Sequence, residues 1–191
     1  MFAAVVPPED VREDLAEFLD VRDGLRWTPP DRMHLTLAFL PDVPERILEP
    51  LEERLAAAVA DLEPFTCSLG GAGAFPHPDR PALLWLGVGE GAPQLERLAL
   101  RVRGAASAVG AAPDGKRFLP HLTLARPPRD RSAVRWLRVL DTYAYDGGGH
   151  ELKEMGVIFA EHLTGQQARI ELMLALGLAG QDVRRLIEQG P

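Results

Sequence analysis

His34-Leu35-Thr36-Leu37 recurs as His121-Leu122-Thr123-Leu124, and the chain has only five histidines with which to make that repetition. Ordinary residue usage gives a histidine followed by Leu-Thr-Leu with a frequency on the order of one in a thousand, so the repeat marks a duplicated element. On a β-strand successive side chains alternate between faces, which puts His and Thr on one face and both leucines on the other. Each copy therefore reads as a strand with an apolar back toward a core and a front carrying an imidazole and a hydroxyl. Two such fronts brought together offer the equipment for moving protons on either side of a phosphate.

Working outward, Met1 to Val6 reads as a buried strand that ends at Pro7-Pro8. Val11, Leu15 and Leu19 then recur at helical spacing, and a turn-rich link through Gly24 and Pro29-Pro30 leads into the first motif. A second helix is predicted from about Pro44 to Leu62, with Pro50 as a kink or early-turn residue. Phe65 to Leu69 and Leu83 to Val88 read as paired strands, separated by a Gly- and Pro-rich connection from Gly70 to Pro81. The grammar then repeats with a helix near Pro93 to Val109, a loop at Pro113-Asp114-Gly115, the second motif, Pro127-Pro128 and a helix near Ala133 to Leu140. Met155 to Ala160 and Ile170 to Leu176 read as closing strands, and Asp182 to Glu188 as a terminal helix. Helices and strands without strict βαβ alternation predict an α+β fold. We expect one bilobal domain over 1–191, made of two ferredoxin-like lobes with pseudo-twofold symmetry, their antiparallel sheets facing a central cleft, and 181–191 appended as a C-terminal helix.

The formal charge of −7 argues against gripping a long nucleic-acid track, which needs many Lys and Arg contacts. It leaves room for a single phosphate, held by a few well-placed donors. No apolar stretch is long enough to span a bilayer and nothing resembles a signal peptide. Cys67 is the only cysteine, which excludes an internal disulfide and fits a cytoplasmic location.

Two His-x-Thr-x motifs some eighty residues apart resemble those of the 2H phosphoesterase superfamily. Met33 to Leu40, Gly73-Ala74-Phe75-Pro76, Leu84 to Val88 and Phe118 to Arg126 are similar to its bacterial and archaeal RNA 2′,3′-cyclic phosphodiesterases, historically called 2′-5′ RNA ligases. The resemblance implies metal-independent, cofactor-free hydrolysis of a terminal 2′,3′-cyclic phosphate on RNA or a nucleotide to a 2′-phosphate, with reverse 2′-5′ ligation as a further capacity. It assigns His34 as proton donor and His121 as proton acceptor, although the near-symmetry of the copies leaves that choice open on the residues alone. Thr36 and Thr123 would hydrogen-bond the phosphate oxygens. Arg126 resembles an arginine that follows the second motif in relatives, and reaches the cleft only if the strand has ended before Pro127. Phe39 occupies the equivalent place in the first copy, as a base-stacking or core residue. Relatives often carry a serine where this chain reads Val157 to His162, so no contact is carried over from there.

The remaining histidines, His77, His150 and His162, read as surface residues. A zinc site joining one of them to His34 and His121 lacks a supporting ligand cluster. Trp27, Trp85 and Trp136 read as packing anchors. Arg117, Arg129 and Arg131 read as a basic rim for an RNA end or as solvated loop residues. The expected protein is a monomer without a membrane or metal partner. Its competing readings are a cyclic phosphodiesterase for a small nucleotide such as an ADP-ribose cyclic phosphate, and a nucleotide-binding module without turnover.

Overall fold

The computed structural model describes residues 1–63, 65–128 and 130–143, together with the backbone of three short segments at 150–151, 156–160 and 174–175. The strands are β1 Phe2–Val6, β2 Leu35–Phe39, β3 Thr66–Cys67, β4 Leu69–His77, β5 Arg80–Val88, β6 His121–Ala125, β7 His150–Glu151, β8 Gly156–Ala160 and β9 Leu174–Ala175. The α-helices are α1 Glu9–Asp20, α2 Leu48–Val59, α3 Ala92–Ala108 and α4 Val134–Leu140. The fold is α+β, as the patterning predicts.

Each long helix forms where apolar residues recur every three to four positions, and each buries that stripe. Val11, Leu15 and Leu19 of α1, Leu51, Leu55 and Val59 of α2, and Leu95, Leu98 and Val102 of α3 are all buried. All but Val11 share one core with Leu35 and Leu37 of β2 and Leu122 and Leu124 of β6. Burying one such leucine fully contributes roughly 1.5–3 kcal/mol. The leucine backs of both motif copies therefore meet the helices, and the His/Thr fronts are left on the opposite face.

Seven strands form one antiparallel sheet in the order β4-β5-β6-β2-β1-β8-β9, with β3 and β7 pairing separately. β6 and β2 lie side by side within it, with β4 and β5 beyond β6 and β1, β8 and β9 beyond β2. Separate sheets facing one another were expected; instead the two halves are joined into one sheet. The join is the Leu35–Leu122 pair, through which the two duplicated strands hydrogen-bond to each other. β8, which follows the second motif, lies against β1, so the half built around the first motif is completed by chain from beyond the second.

Two further expectations change. The region predicted as a Gly/Pro connection from Gly70 to Pro81 is mostly strand, since β4 runs to His77 and pairs with β5 down to Arg80. The glycines and Pro76 are accommodated at two register irregularities, between Gly70 and Ala72 and between Phe75 and Pro76. Thr66–Cys67, expected to pair with the following strand, pairs with β7 instead. The helix predicted over about Pro44 to Leu62 divides into a 3-10 turn at Glu45–Ile47 and α2, with Pro50 in the first turn of α2. There its missing N–H lacks no partner, and no kink is needed. Most of the expected strand from Ile170 to Leu176 and the expected helix at Asp182 to Glu188 lie outside the described residues, as do Arg129 and His162. No helix among the described residues is long and apolar enough to cross a membrane.

Candidate active site

The join at Leu35–Leu122 fixes the site. In an antiparallel ladder, pairing these two residues sets position 34 across from position 123 and position 36 across from position 121. His34, Thr36, His121 and Thr123 thus occupy adjacent positions on one face, at the centre of the sheet. All four are half-buried, whereas Leu35, Leu37, Leu122 and Leu124 between them are buried on the core side. The structure brings together the four residues that the alternation argument selected.

Both imidazoles are held in the same way. The His34 Nδ1–H donates to the Arg32 carbonyl at 2.7 Å, and the His121 Nδ1–H donates to the Leu119 carbonyl at 2.7 Å. A carbonyl oxygen can only accept, so Nδ1 must carry the proton in each ring. Nε2 is then the nitrogen left to act: a lone pair when the ring is neutral, a donor when it is charged. In each copy the tethering carbonyl lies two residues back along the chain, and Nε2 is on the side of the ring away from that bond.

Aromatic side chains surround the two rings differently. Phe2 stacks on His34 with centroids 4.8 Å apart and planes 17° from parallel. His121 meets Phe75 edge to face at 5.2 Å and 87°, with the Trp85 ring 6.0 Å away. Trp85 pairs with Thr123 across β5 and β6, which places it on the His/Thr face. Its indole lies flat over Gly73, where a Cβ would stand 1.9 Å from Trp85 Cζ2. No residue other than glycine leaves room for the ring in that position. The Trp85 Nε1–H is buried and meets no acceptor among the described residues.

Burial holds the His34 imidazolium below the ordinary histidine range. The Arg32 carbonyl, which favours the protonated ring, opposes the shift, and the charge of His121 adds to it.

Arg126 is exposed and follows directly on the last residue of β6, so the strand has ended before it, the condition its expected role required. Phe39 is the last residue of β2, pairs with Phe2 and is 37% exposed, which removes the reading of it as a core residue. The two stand at opposite ends of the quartet, because β2 and β6 run antiparallel. Trp27 and Trp136 pack edge to face at 5.6 Å, as anchors. Trp85, expected to be a third, belongs to the site instead. Phe2 and Phe75 were not singled out from the sequence; the only signal was Phe75 within the string Gly73-Ala74-Phe75-Pro76. Cys67 has its thiol pushed up to about 12, by burial first and the Glu90 carboxylate second, and takes no part. Arg117 and Arg131 are exposed in loops. Among the described residues no group of three or more His, Cys, Asp or Glu assembles to hold a metal ion.

Comparison with known proteins identifies the family. Residues 7–152 match the model of the 2′-5′ RNA ligase superfamily. The chain belongs to that superfamily. An RNA 2′,3′-cyclic phosphodiesterase of Aeropyrum pernix is 42% identical over 58% of this chain and 61% of its own length. Another of that name from Archaeoglobus fulgidus is 36% identical over 70% of this chain and 76% of its own. The match thus spans about three-fifths of the Aeropyrum relative. Among solved structures, a protein of Thermus thermophilus aligns with a TM-score of 0.64 at 28% identity, covering 91% of this chain and 93% of that one. LigT of E. coli, crystallised with 3′-AMP, aligns with a TM-score of 0.63 at 24% identity over 93% and 97%, a likeness of fold.

Proposed function

We propose that this chain opens terminal 2′,3′-cyclic phosphates on RNA or nucleotides, leaving a 2′-phosphate, by general acid–base catalysis between His34 and His121. The observation that carries the reading is the pair of Nδ1 tethers, which leave two Nε2 atoms as proton-transfer groups on one face. In the proposed step the His121 Nε2 lone pair takes a proton from water as the water oxygen attacks phosphorus. The P–O3′ bond breaks and the departing ribose 3′-oxygen takes the proton from His34 Nε2. Thr36 and Thr123 donate to the non-bridging oxygens as charge grows on them. Arg126 contacts the phosphate from the exposed end of β6, and Phe39 offers an aromatic surface to a base.

By its own surroundings His34 favours its neutral form, whereas its role requires a proton at Nε2. An anionic phosphate beside Nε2 favours the imidazolium, so substrate and proton bind together. The paired histidines complete the proton inventory without a metal ion, and turnover is expected to persist in EDTA. Run backward, the same two transfers join a 2′-phosphate terminus to a hydroxyl. The halves on either side of the Leu35–Leu122 join are, on this reading, lobes related by an approximate twofold, lining a shared cleft within one domain of a monomeric, cytoplasmic enzyme.

Incubating the protein in EDTA with an RNA ending in a 2′,3′-cyclic phosphate, then resolving the product by 31P NMR, tests the reading. A 2′-phosphomonoester supports it; unchanged substrate or a 3′-phosphate overturns it. A parallel arm with ADP-ribose cyclic phosphate ranks the substrate class, and binding without product identifies a module without turnover.

A further inference from the structure

Each imidazole turns on two rotatable bonds, and one hydrogen bond at Nδ1 is a soft, single restraint on that swing. Something must hold the rings in place. Phe2 pairs with Phe39, five residues past His34 along β2, yet its ring lies on His34. The stack therefore bridges the offset between the two backbone positions along the strands. On the other strand, His121 pairs with Gly87, whereas Phe75 pairs with Leu83, which precedes the Leu84 partnered by Ala125. The His121 ring likewise meets Phe75 and Trp85, whose backbone positions lie level with Thr123 and beyond it. Since position 36 lies across from 121 and position 123 across from 34, each aromatic partner's backbone position lies along the strands in the direction of the other histidine.

We propose that Phe2 is a positioning residue for the phosphodiester reaction: its stacked ring holds His34 in place, with Nε2 in reach of a phosphate shared with His121. Phe75, backed by Trp85 seated on Gly73, does the same for His121. Neither phenyl touches a reacting atom in this scheme. A stack fixes the plane of the imidazole, whereas the Arg32 carbonyl fixes only one of its atoms. Holding both removes the swing, and reacting groups gain most from being held near their attack geometry. The inference rests on the phosphodiesterase reading for its rate effect but not for its structural content, and the two are separable by experiment.

The test compares Phe2→Leu, which stays apolar but cannot stack, with Phe2→Tyr, which keeps the ring. With RNA ending in a cyclic phosphate, Phe2→Leu is expected to lower kcat about tenfold or more with KM within about twofold, and Phe2→Tyr to restore it. The activity-free readout is the His34 ring proton resonances, which lie upfield under the Phe2 ring current. They should move downfield in Phe2→Leu and stay in Phe2→Tyr, with both variants giving native circular dichroism. Unmoved His34 resonances in Phe2→Leu overturn the positioning role, as does unchanged kcat in an active wild type. An inactive wild type sinks the phosphodiesterase reading, and the resonances alone then decide whether Phe2 holds His34.

Discussion

The two His-Leu-Thr-Leu copies are alike where the backbone acts and different where side chains do. Each presents its imidazole through an Nδ1–H bond of 2.7 Å to the carbonyl two residues back. Each places its threonine beside the other copy's histidine, through the same join. Around that shared frame the neighbours diverge. His34 lies face to face on Phe2, whereas His121 meets the Phe75 ring edge to face beside Trp85. Arg126 follows the second copy at the place Phe39 occupies after the first. On the proposed mechanism, duplicated backbone supplies two equivalent proton-transfer groups, and the unduplicated side chains make them unequal, as an acid and a base must be.

The hardest blow to that comparison is removal of either imidazole. His34→Ala and His121→Ala should each lower kcat/KM by roughly a hundredfold to ten-thousandfold, and the double variant should be little worse than either alone, because the groups act as a unit. A His121→Ala enzyme with full activity would break the symmetry outright. Thr36→Val and Thr123→Val should each cost about tenfold to a hundredfold, the worth of a hydrogen bond to a charged group. Comparable losses in both would show that the copies share the phosphate; a loss in one alone would show that a single strand holds it.

Gly73→Ala tests the side chains that make the copies unequal. The new Cβ must displace the Trp85 indole, so we expect a stability loss of about 1–3 kcal/mol by thermal or urea denaturation. The His121 resonances should shift while those of His34 hold. Arg126→Ala and Phe39→Ala should act most weakly, each raising KM a few-fold. The arginine's effect should fade as salt is added, because it acts through screened charge, and the phenylalanine's should not.

The pH dependence follows from the same inequality. Activity needs one ring charged and one neutral, giving a bell. Burial of His34 and repulsion from a charged His121 put the second protonation of the pair, the one that leaves both rings charged, below the ordinary histidine value of 6.5. The acid limb of kcat/KM should therefore fall away only beneath that value. The sign for stability is the opposite of that for a salt-bridged histidine. The native state prefers neutral His34, so its contribution is present above pH 6.5 and is lost as pH falls through the folded value. Urea midpoints of wild type and His34→Asn should converge or cross between about pH 7 and pH 5.

The motif strands were legible because a period of two and a repeated tetrapeptide are local signals, and those signals alone name all four residues of the quartet. Helix faces were legible for the same reason, with Leu15, Leu55 and Leu98 each at the centre of a helical stripe. The course of β4 was hidden because Gly70-Gly71 and Pro76 carry the composition of a loop; only pairing with β5 turns them into strand, through two register irregularities. Whether the sheets were two or one depended on a single nonlocal pair, Leu35–Leu122. Phe2 and Phe75 were hidden for the same reason, lying far from the histidines in sequence and meeting them only through nonlocal ring contacts.

Whether both imidazoles serve one phosphate is most directly decided by titrating 15N-labelled histidines with 2′-AMP, a mononucleotide carrying the proposed product group. The Nε2 signals of His34 and His121 should move together along one saturation curve, and both rings should hold their protons to higher pH when the ligand is bound. Movement of one histidine with the other silent at saturation would contradict a shared phosphate.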